Sequence, residues 1–235
     1  MKGNKILRDY FIDVIYSENH LKLLREKRDR AKVLLGMFAK EGLNPFLYGS
    51  IARGDVHIDS DIDIIVNQSI APYQIEIMLE KNGFTNYFRE IIMATPSDAI
   101  KLYIYLNELE SITIPLSKFE KRSEEFYDFG GKINLGQLIN NIRVPGIDKR
   151  LVLIQPTGNG HKECSIIGNE HVVARQLNVS IDLINEREKV LLKRERFGKT
   201  GVFLKRQIEM NESTEDVLKK LANKKSIVRK KLTQR

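Results

Sequence analysis

Residues 48–66 read YGSIARGDVHIDSDIDIIV. In the last seven, acids alternate with isoleucine before the run turns wholly apolar. Side chains at i and i+2 share one face of a strand. Asp61 and Asp63 therefore project together while Ile62, Ile64 and Val66 enter a core. Such acids are most often the wet face of a strand. Two side by side nevertheless repel, which costs stability unless a cation lies between them. Upstream, Phe46-Leu47-Tyr48 reads as a short strand running into Gly49-Ser50 and a helical turn, Ile51-Ala52-Arg53. A strand, a Gly-Ser step, a short turn and a second strand demand a mixed α/β arrangement.

The flanking segments agree. Residues 1–42 read as largely helical, because Leu21, Leu24, Ala31, Leu34, Leu35 and Phe38 recur at spacings of three, four and seven. Gly42, Asn44 and Pro45 stop that helix. Pro72 suits a first helical turn, and a helix through Ile75, Met78 and Leu79 is expected to end at Gly83. Strands follow at Tyr87–Met93, Ile100–Leu106 and Ile112–Leu116. The last two flank Asn107-Glu108-Leu109-Glu110 as a hairpin. The polar, glycine-ended segment 118–131 reads as a domain boundary. Beyond it a short helix (Leu135–Ile142), a Val-Pro-Gly turn, a strand (Arg150–Ile154) and the loop Pro156–His161 are expected. That loop lacks the GxxxxGK[ST] pattern and reads as a turn, not a phosphate cradle.

The acids and the Gly-Ser step combine chemically. A pair of carboxylates on a rigid strand suits Mg²⁺, which takes oxygen ligands, with Mn²⁺ as a substitute. Gly49 allows close backbone approach, Ser50 offers a hydroxyl, and free N–H groups at the start of the turn favour phosphate. Arg53 could add a charge-assisted contact. Gly-Ser-x-Ala-Arg-Gly followed by Ser-Asp-Ile-Asp resembles the signature of the DNA polymerase β-like nucleotidyltransferase superfamily, close to its minimal prokaryotic members. The resemblance covers residues 30–117. It implies a mixed-sheet fold, Gly49 and Ser50 on a triphosphate, and Asp61 and Asp63 as catalytic metal ligands. Enzymes of that superfamily use a third carboxylate on a later strand. The expected strand Ile100–Leu106 presents Lys101, Tyr103 and Tyr105 outward, none of them acidic. Glu110 is the weak candidate, reaching the site only if the hairpin folds over it.

From Asn169, Ala174, Asn178 and Ile184 fall where helix-turn-helix motifs place a small residue, a turn residue and a core β-branched residue. Ser180 would cap the second helix and Asp182 suits its positive end. A hairpin of 190–193 with 202–208 would complete a region resembling a winged helix. Arg187, Lys193, Arg194, Arg196 and Lys199 would then face nucleic-acid phosphates. Residues 213–235 read as a capped basic helix. The expected organisation is thus a nucleotidyltransferase domain at 1–117, a winged helix-turn-helix-like domain at 118–210 and a basic tail at 211–235. VPGIDKRLVLIQPT and GKTGVFLK are also similar to a group of archaeal nucleotidyltransferase proteins.

Charge fits an anionic partner. The chain of 235 residues carries a formal +8, with eight Lys or Arg against three acids after Met210. One cysteine, Cys164, excludes an internal disulfide, and the four dispersed histidines form no zinc-spaced cluster. No apolar run reaches membrane-spanning length, so a cytoplasmic protein is expected. The implied partners are an NTP and a nucleic acid, RNA in preference to DNA. A protein acceptor, a binding-only role and a homodimer are left open.

Overall fold

The computed structural model describes residues 5–198 and 201–233. In chain order it begins with β1 (Phe11–Ile15), α1 (Glu18–Lys40), β2 (Pro45–Tyr48), α2 (Ser50–Arg53), β3 (Ile62–Val66), α3 (Pro72–Lys81), β4 (Phe88–Met93), β5 (Lys101–Asn107) and β6 (Glu110–Pro115). It continues with α4 (Lys121–Gly130), β7 (Lys132–Asn134), α5 (Leu135–Ile139), β8 (Gly146–Ile147), β9 (Val152–Thr157) and β10 (Gly160–Ser165). It ends with α6 (Glu170–Leu177), α7 (Ile181–Phe197), β11 (Leu204–Ile208), α8 (Thr214–Lys224) and α9 (Ser226–Thr233).

Seven strands form the larger sheet, in the order β11-β4-β5-β6-β3-β2-β7. Its neighbours are antiparallel except β3 and β6, which run parallel. The expected alternation holds on β3: Ile62, Ile64 and Val66 are buried. They join Leu34 and Phe38 of α1, Ile75 and Leu79 of α3, and Val217 and Leu218 of α8 in the main core. Ser17 caps α1, accepting from the His20 N–H, and Glu18 suits its first turn. The opposite face of the sheet is polar and aromatic, and α4 lies over it through the edge-on contact of Tyr48 with Tyr127.

The smaller sheet, β1-β10-β9-β8, is antiparallel. Here β1 crosses so close to β10 that a Cβ on Gly160 would lie 1.8 Å from the Val14 carbonyl oxygen, and only glycine fits. A second core gathers Leu153 of this sheet and Leu151 of the turn before β9 with Leu177 of α6 and Leu183 and Ile184 of α7.

Several expectations are corrected. Residues 11–15 are a strand, not the lead of a helix. Segment 118–131 is not a boundary, because most of it is α4, which buries Tyr127 and Phe129. Residues 190–193 lie inside α7, whose 17 residues run from the Ser180 cap to Gly198. A short apolar run cannot by itself distinguish strand from helix, and the upstream cap decides. β11 therefore has no hairpin partner there and pairs with β4 at the edge of the larger sheet. The pair α6–α7 is present, with Asn178 in the left-handed region at φ 53° and Ala174 and Ile184 buried, but among the described residues no wing follows it. The chain does not divide at residue 117 or 210 either: β7, β11 and α8 belong to the first core, and β1 to the second sheet. The tail is two helices, α8 and α9, not one.

Candidate active site

The site begins with the register between β2 and β3. Tyr48 stands opposite Asp63 in an antiparallel pair. The chain leaves β2 at Gly49-Ser50 as it enters β3 from Asp61, so the Gly-Ser step lies alongside the acids. Gly49 adopts φ 91°, ψ −152°, a conformation that a side chain would strain. Its N–H donates to the Gly131 carbonyl at 2.9 Å. Three side chains of α1 brace the segment that follows. Arg28 Nη1 donates to the Ile51 carbonyl at 3.0 Å, His20 Nε2 meets the Gly54 carbonyl at 2.8 Å, and Lys27 Nζ donates to the Ser60 carbonyl at 2.8 Å.

Asp61 is exposed at the mouth of the site and Asp63 lies deeper. On the parallel strand β6, Ser111 stands opposite Asp63 and donates its hydroxyl to Oδ1 at 2.6 Å. Burial raises the Asp63 carboxyl above its ordinary value. The Ser111 hydrogen bond opposes that shift, the charge of Asp61 adds to it, and Lys149 opposes it. Ser111 touches this carboxylate, and the charges of Asp61 and Lys149 both act on it. Tyrosines wall it in. Burial pushes the hydroxyls of Tyr48, Tyr103 and Tyr127 upward, followed by the Asp63 charge at Tyr48 and by a neighbouring tyrosine and then Asp63 at the other two, and burial takes Tyr105 to about 12. Tyr105 also borders an open groove of about 620 Å³ with Tyr87, Phe88, Asn107 and Lys205.

Residues 15–127 match the family model of the nucleotidyltransferase domain. The matched stretch contains the Gly-Ser step, both acids, Ser111 and Tyr127. No curated protein and no solved structure gives a significant match to the chain. A nucleotidyltransferase domain moves a nucleoside monophosphate, which suits an acid pair beside a Gly-Ser step.

The structure brings Gly49, Ser50, Asp61 and Asp63 together. It does not bring Arg53 or Glu110. Arg53 is 5% exposed, forms a bidentate pair with Asp55 at 2.9 and 2.8 Å, and donates to the Gly130 carbonyl. Its guanidinium is spent on fixing the loop, so it is no phosphate ligand. Glu110 pairs with Ile62 in the ladder and faces away from the acids. Both its oxygens accept from Arg30 at 2.7 Å. Ser111, one residue on, holds the place where a third carboxylate would face Asp63. Among the described residues no group of three or more acidic, histidine or cysteine side chains could hold a metal. The donor set that remains, two carboxylates and a hydroxyl, is all oxygen. A cation between Asp61 and Asp63 would relieve both the burial and the repulsion that raise Asp63, so one hard divalent ion fits.

The basic residues expected to face nucleic acid do not share one surface. Lys193, Arg194 and Arg196 are exposed on the last turns of α7, and Arg196 lies over the Phe197 ring at 5.0 Å. Lys199 lies outside the described residues. Arg187 is turned inward over Phe126 at 4.9 Å. Sequence reasoning missed Lys149, Ser111 and the tyrosine wall. The outward Tyr103 and Tyr105 were a visible signal on their strand. Lys149 was not, since it comes from the loop before β9 and reaches the site only through the tertiary fold.

Proposed function

We propose that this protein is an Mg²⁺-dependent (or Mn²⁺-dependent) nucleotidyltransferase that moves a nucleoside monophosphate from an NTP to an acceptor hydroxyl. A bond forms between the acceptor oxygen and the α-phosphorus, the α–β phosphoanhydride breaks, and pyrophosphate leaves while the hydroxyl proton passes to solvent. The observation that carries this reading is the β2–β3 register, which sets the Gly49-Ser50 step beside Asp61 and Asp63. The Gly49-Ser50 backbone and the Ser50 hydroxyl would hold phosphate oxygens. Lys149, whose charge acts on Asp63, would add positive charge for the phosphates of a bound NTP. Asp61 and Asp63 would hold the cation, and a bound divalent ion lowers the pKa of the attacking hydroxyl and stabilises the leaving pyrophosphate. Ser111 keeps Asp63 in place. With no third carboxylate to accept the proton, turnover should be about 10²–10⁴-fold slower than with a positioned base. A formal charge of +8 and the exposed Lys193, Arg194 and Arg196 support a nucleic-acid acceptor, RNA before DNA.

Ser111 itself favours a second reading, in which the fold binds a nucleotide without turning it over. Incubation with α-labelled NTPs, Mg²⁺ and total RNA separates the readings. Label on RNA is expected, and Asp61→Asn should abolish it. Label on a polypeptide would instead make the acceptor a protein. Label nowhere, with NTP still bound, would favour the binding reading. Undiminished activity of Asp61→Asn would remove the site assignment.

A further inference from the structure

The polar face of the large sheet carries a second cluster of functional groups, which shares Tyr127 with the wall around Asp63. Lys101 begins β5 and shares its face with Tyr103 and Tyr105. Its ammonium donates to the Tyr127 hydroxyl at 3.3 Å and lies 5.2, 5.3 and 5.6 Å from the ring centroids of Tyr127, Phe119 and Phe126. Arg187 of α7 packs over the same Phe126, with its Nε enclosed and without a hydrogen-bond partner. Neither cation forms an ion pair among the described residues. Burial lowers Lys101 to about 8, and Asp98 opposes the shift while Arg187 adds to it. Burial likewise lowers Arg187 to about 10, with the charge of Arg194 adding to the shift. Asp98 acts on both as an opposing charge, but it already accepts from the Thr95 N–H at 2.9 Å.

A protein seldom withdraws two like charges from water without a counter-ion, because the desolvation and the repulsion both go uncompensated. The aromatic box accounts for one ammonium, worth about 0.5–2 kcal/mol. Phe126 also meets Arg187, but a ring face does not supply the hydrogen bond that the enclosed Nε lacks. An anion between the two cations would relieve both. The fork of Arg187 matches the oxygens of a phosphate, and Lys101 supplies a point charge.

We propose that Lys101 and Arg187 form a binding site for one phosphate group carried by the acceptor. Four residues of β5 at about 3.3 Å each and two strand spacings of about 4.8 Å put the Lys101 backbone on the order of 16 Å from that of Asp63. An acceptor held there by a backbone phosphate could extend along the sheet face toward the acids. The anion site stands on the geometry alone; its assignment to the acceptor rests on the transferase reading.

The test uses the full chain without NTP or metal, so its failure is distinct from failure of the transferase reading. A labelled single-stranded oligoribonucleotide is titrated by anisotropy against the wild type and a Lys101→Met, Arg187→Gln double variant. At least a tenfold loss of affinity is expected, with a log–log salt slope shallower by about 0.7, as for one phosphate contact. Equal affinity and slope would overturn the proposal. Because the variant could fold poorly, a second measurement follows the Lys101 side-chain ¹⁵N resonance of the wild type through a pH titration. Oligonucleotide should move its midpoint upward from about 8. A midpoint moved by inorganic phosphate but not by oligonucleotide would overturn the acceptor assignment. A midpoint moved by neither would overturn the site.

Discussion

At the scale of single residues, the site turns on one carboxylate held in an unfavourable state. Burial first, and then the charge of Asp61, raise Asp63 from its ordinary 3.8. A raised carboxyl binds its proton more tightly in the folded chain than in the unfolded one. Its stabilising contribution is therefore full below pH 3.8 and is lost as pH rises through the higher folded value. Metal-free protein at neutral pH thus carries a strained anion, and a cation removes the strain. Asp63→Asn should melt at or above the wild-type temperature in EDTA at pH 7.5, with the gap closing toward pH 4. Mg²⁺ should raise the wild-type midpoint and leave that of the variant unmoved, while transfer falls at least about 10²-fold. Scanning calorimetry with and without Mg²⁺ checks this, and a variant that gained as much from Mg²⁺ as the wild type would contradict it. The same carboxylate shows what could be read beforehand. Asp61, Asp63, Gly49 and Ser50 were legible because strand alternation and chain continuity set their relation. The engagement of Arg53 and of the weak candidate Glu110 elsewhere was not legible, because a sequence does not show that each has a nearer partner, Asp55 and Arg30.

At the scale of elements, legibility tracked the distance along the chain to each partner. β3, α3 and the β5–β6 hairpin were readable because their periodicity and turns are local. β11 was recognised as a strand but assigned the wrong neighbour. Its partner β4 lies more than a hundred residues earlier, and nothing within 202–208 names it. Arg89 of β4 holds this pairing in place. It is 6% exposed, pairs with Glu76 of α3 at 2.8 Å, and donates to the carbonyls of Glu209 and Glu212 at 3.0 and 2.9 Å. One guanidinium thus ties β4, α3 and the turn before α8. Arg89→Ala would leave the half-buried Glu76 with only the Thr214 hydroxyl and free two carbonyls, with an expected cost of about 1–3 kcal/mol. Urea denaturation should show the midpoint falling with little change in slope. Hydrogen exchange should show protection lost first at 204–208, and a loss confined to the neighbourhood of residue 89 would mean that β11 is held by other contacts.

At the scale of the whole molecule, the two cores exchange chain ends. β1 completes the small sheet built mostly by residues 146–165, while β11, α8 and α9 complete the large sheet built by residues 45–134. The sequence division into a first domain ending at 117 fails on this account, although the matched family segment ends close by at residue 127. A chain ended at residue 117 would lack Ile133, Leu138, Leu204, Ile208, Val217, Leu218 and Val228, all buried in the main core. Each apolar side chain of this kind contributes about 1.5–3 kcal/mol on burial. Their combined loss is comparable with the whole net stability of a domain, about 5–15 kcal/mol. It would also strip β4 and β2 of their outer neighbours and leave two long edges open to association. Residues 1–117 alone should therefore be unfolded or aggregated, with near-ultraviolet circular dichroism lost, whereas the full chain should melt in one cooperative step. A soluble 1–117 fragment with a sharp melt and native-like exchange protection would show instead that the acid site stands on a self-sufficient half. The later elements would then be an addition to the catalytic fold and not part of what holds it together.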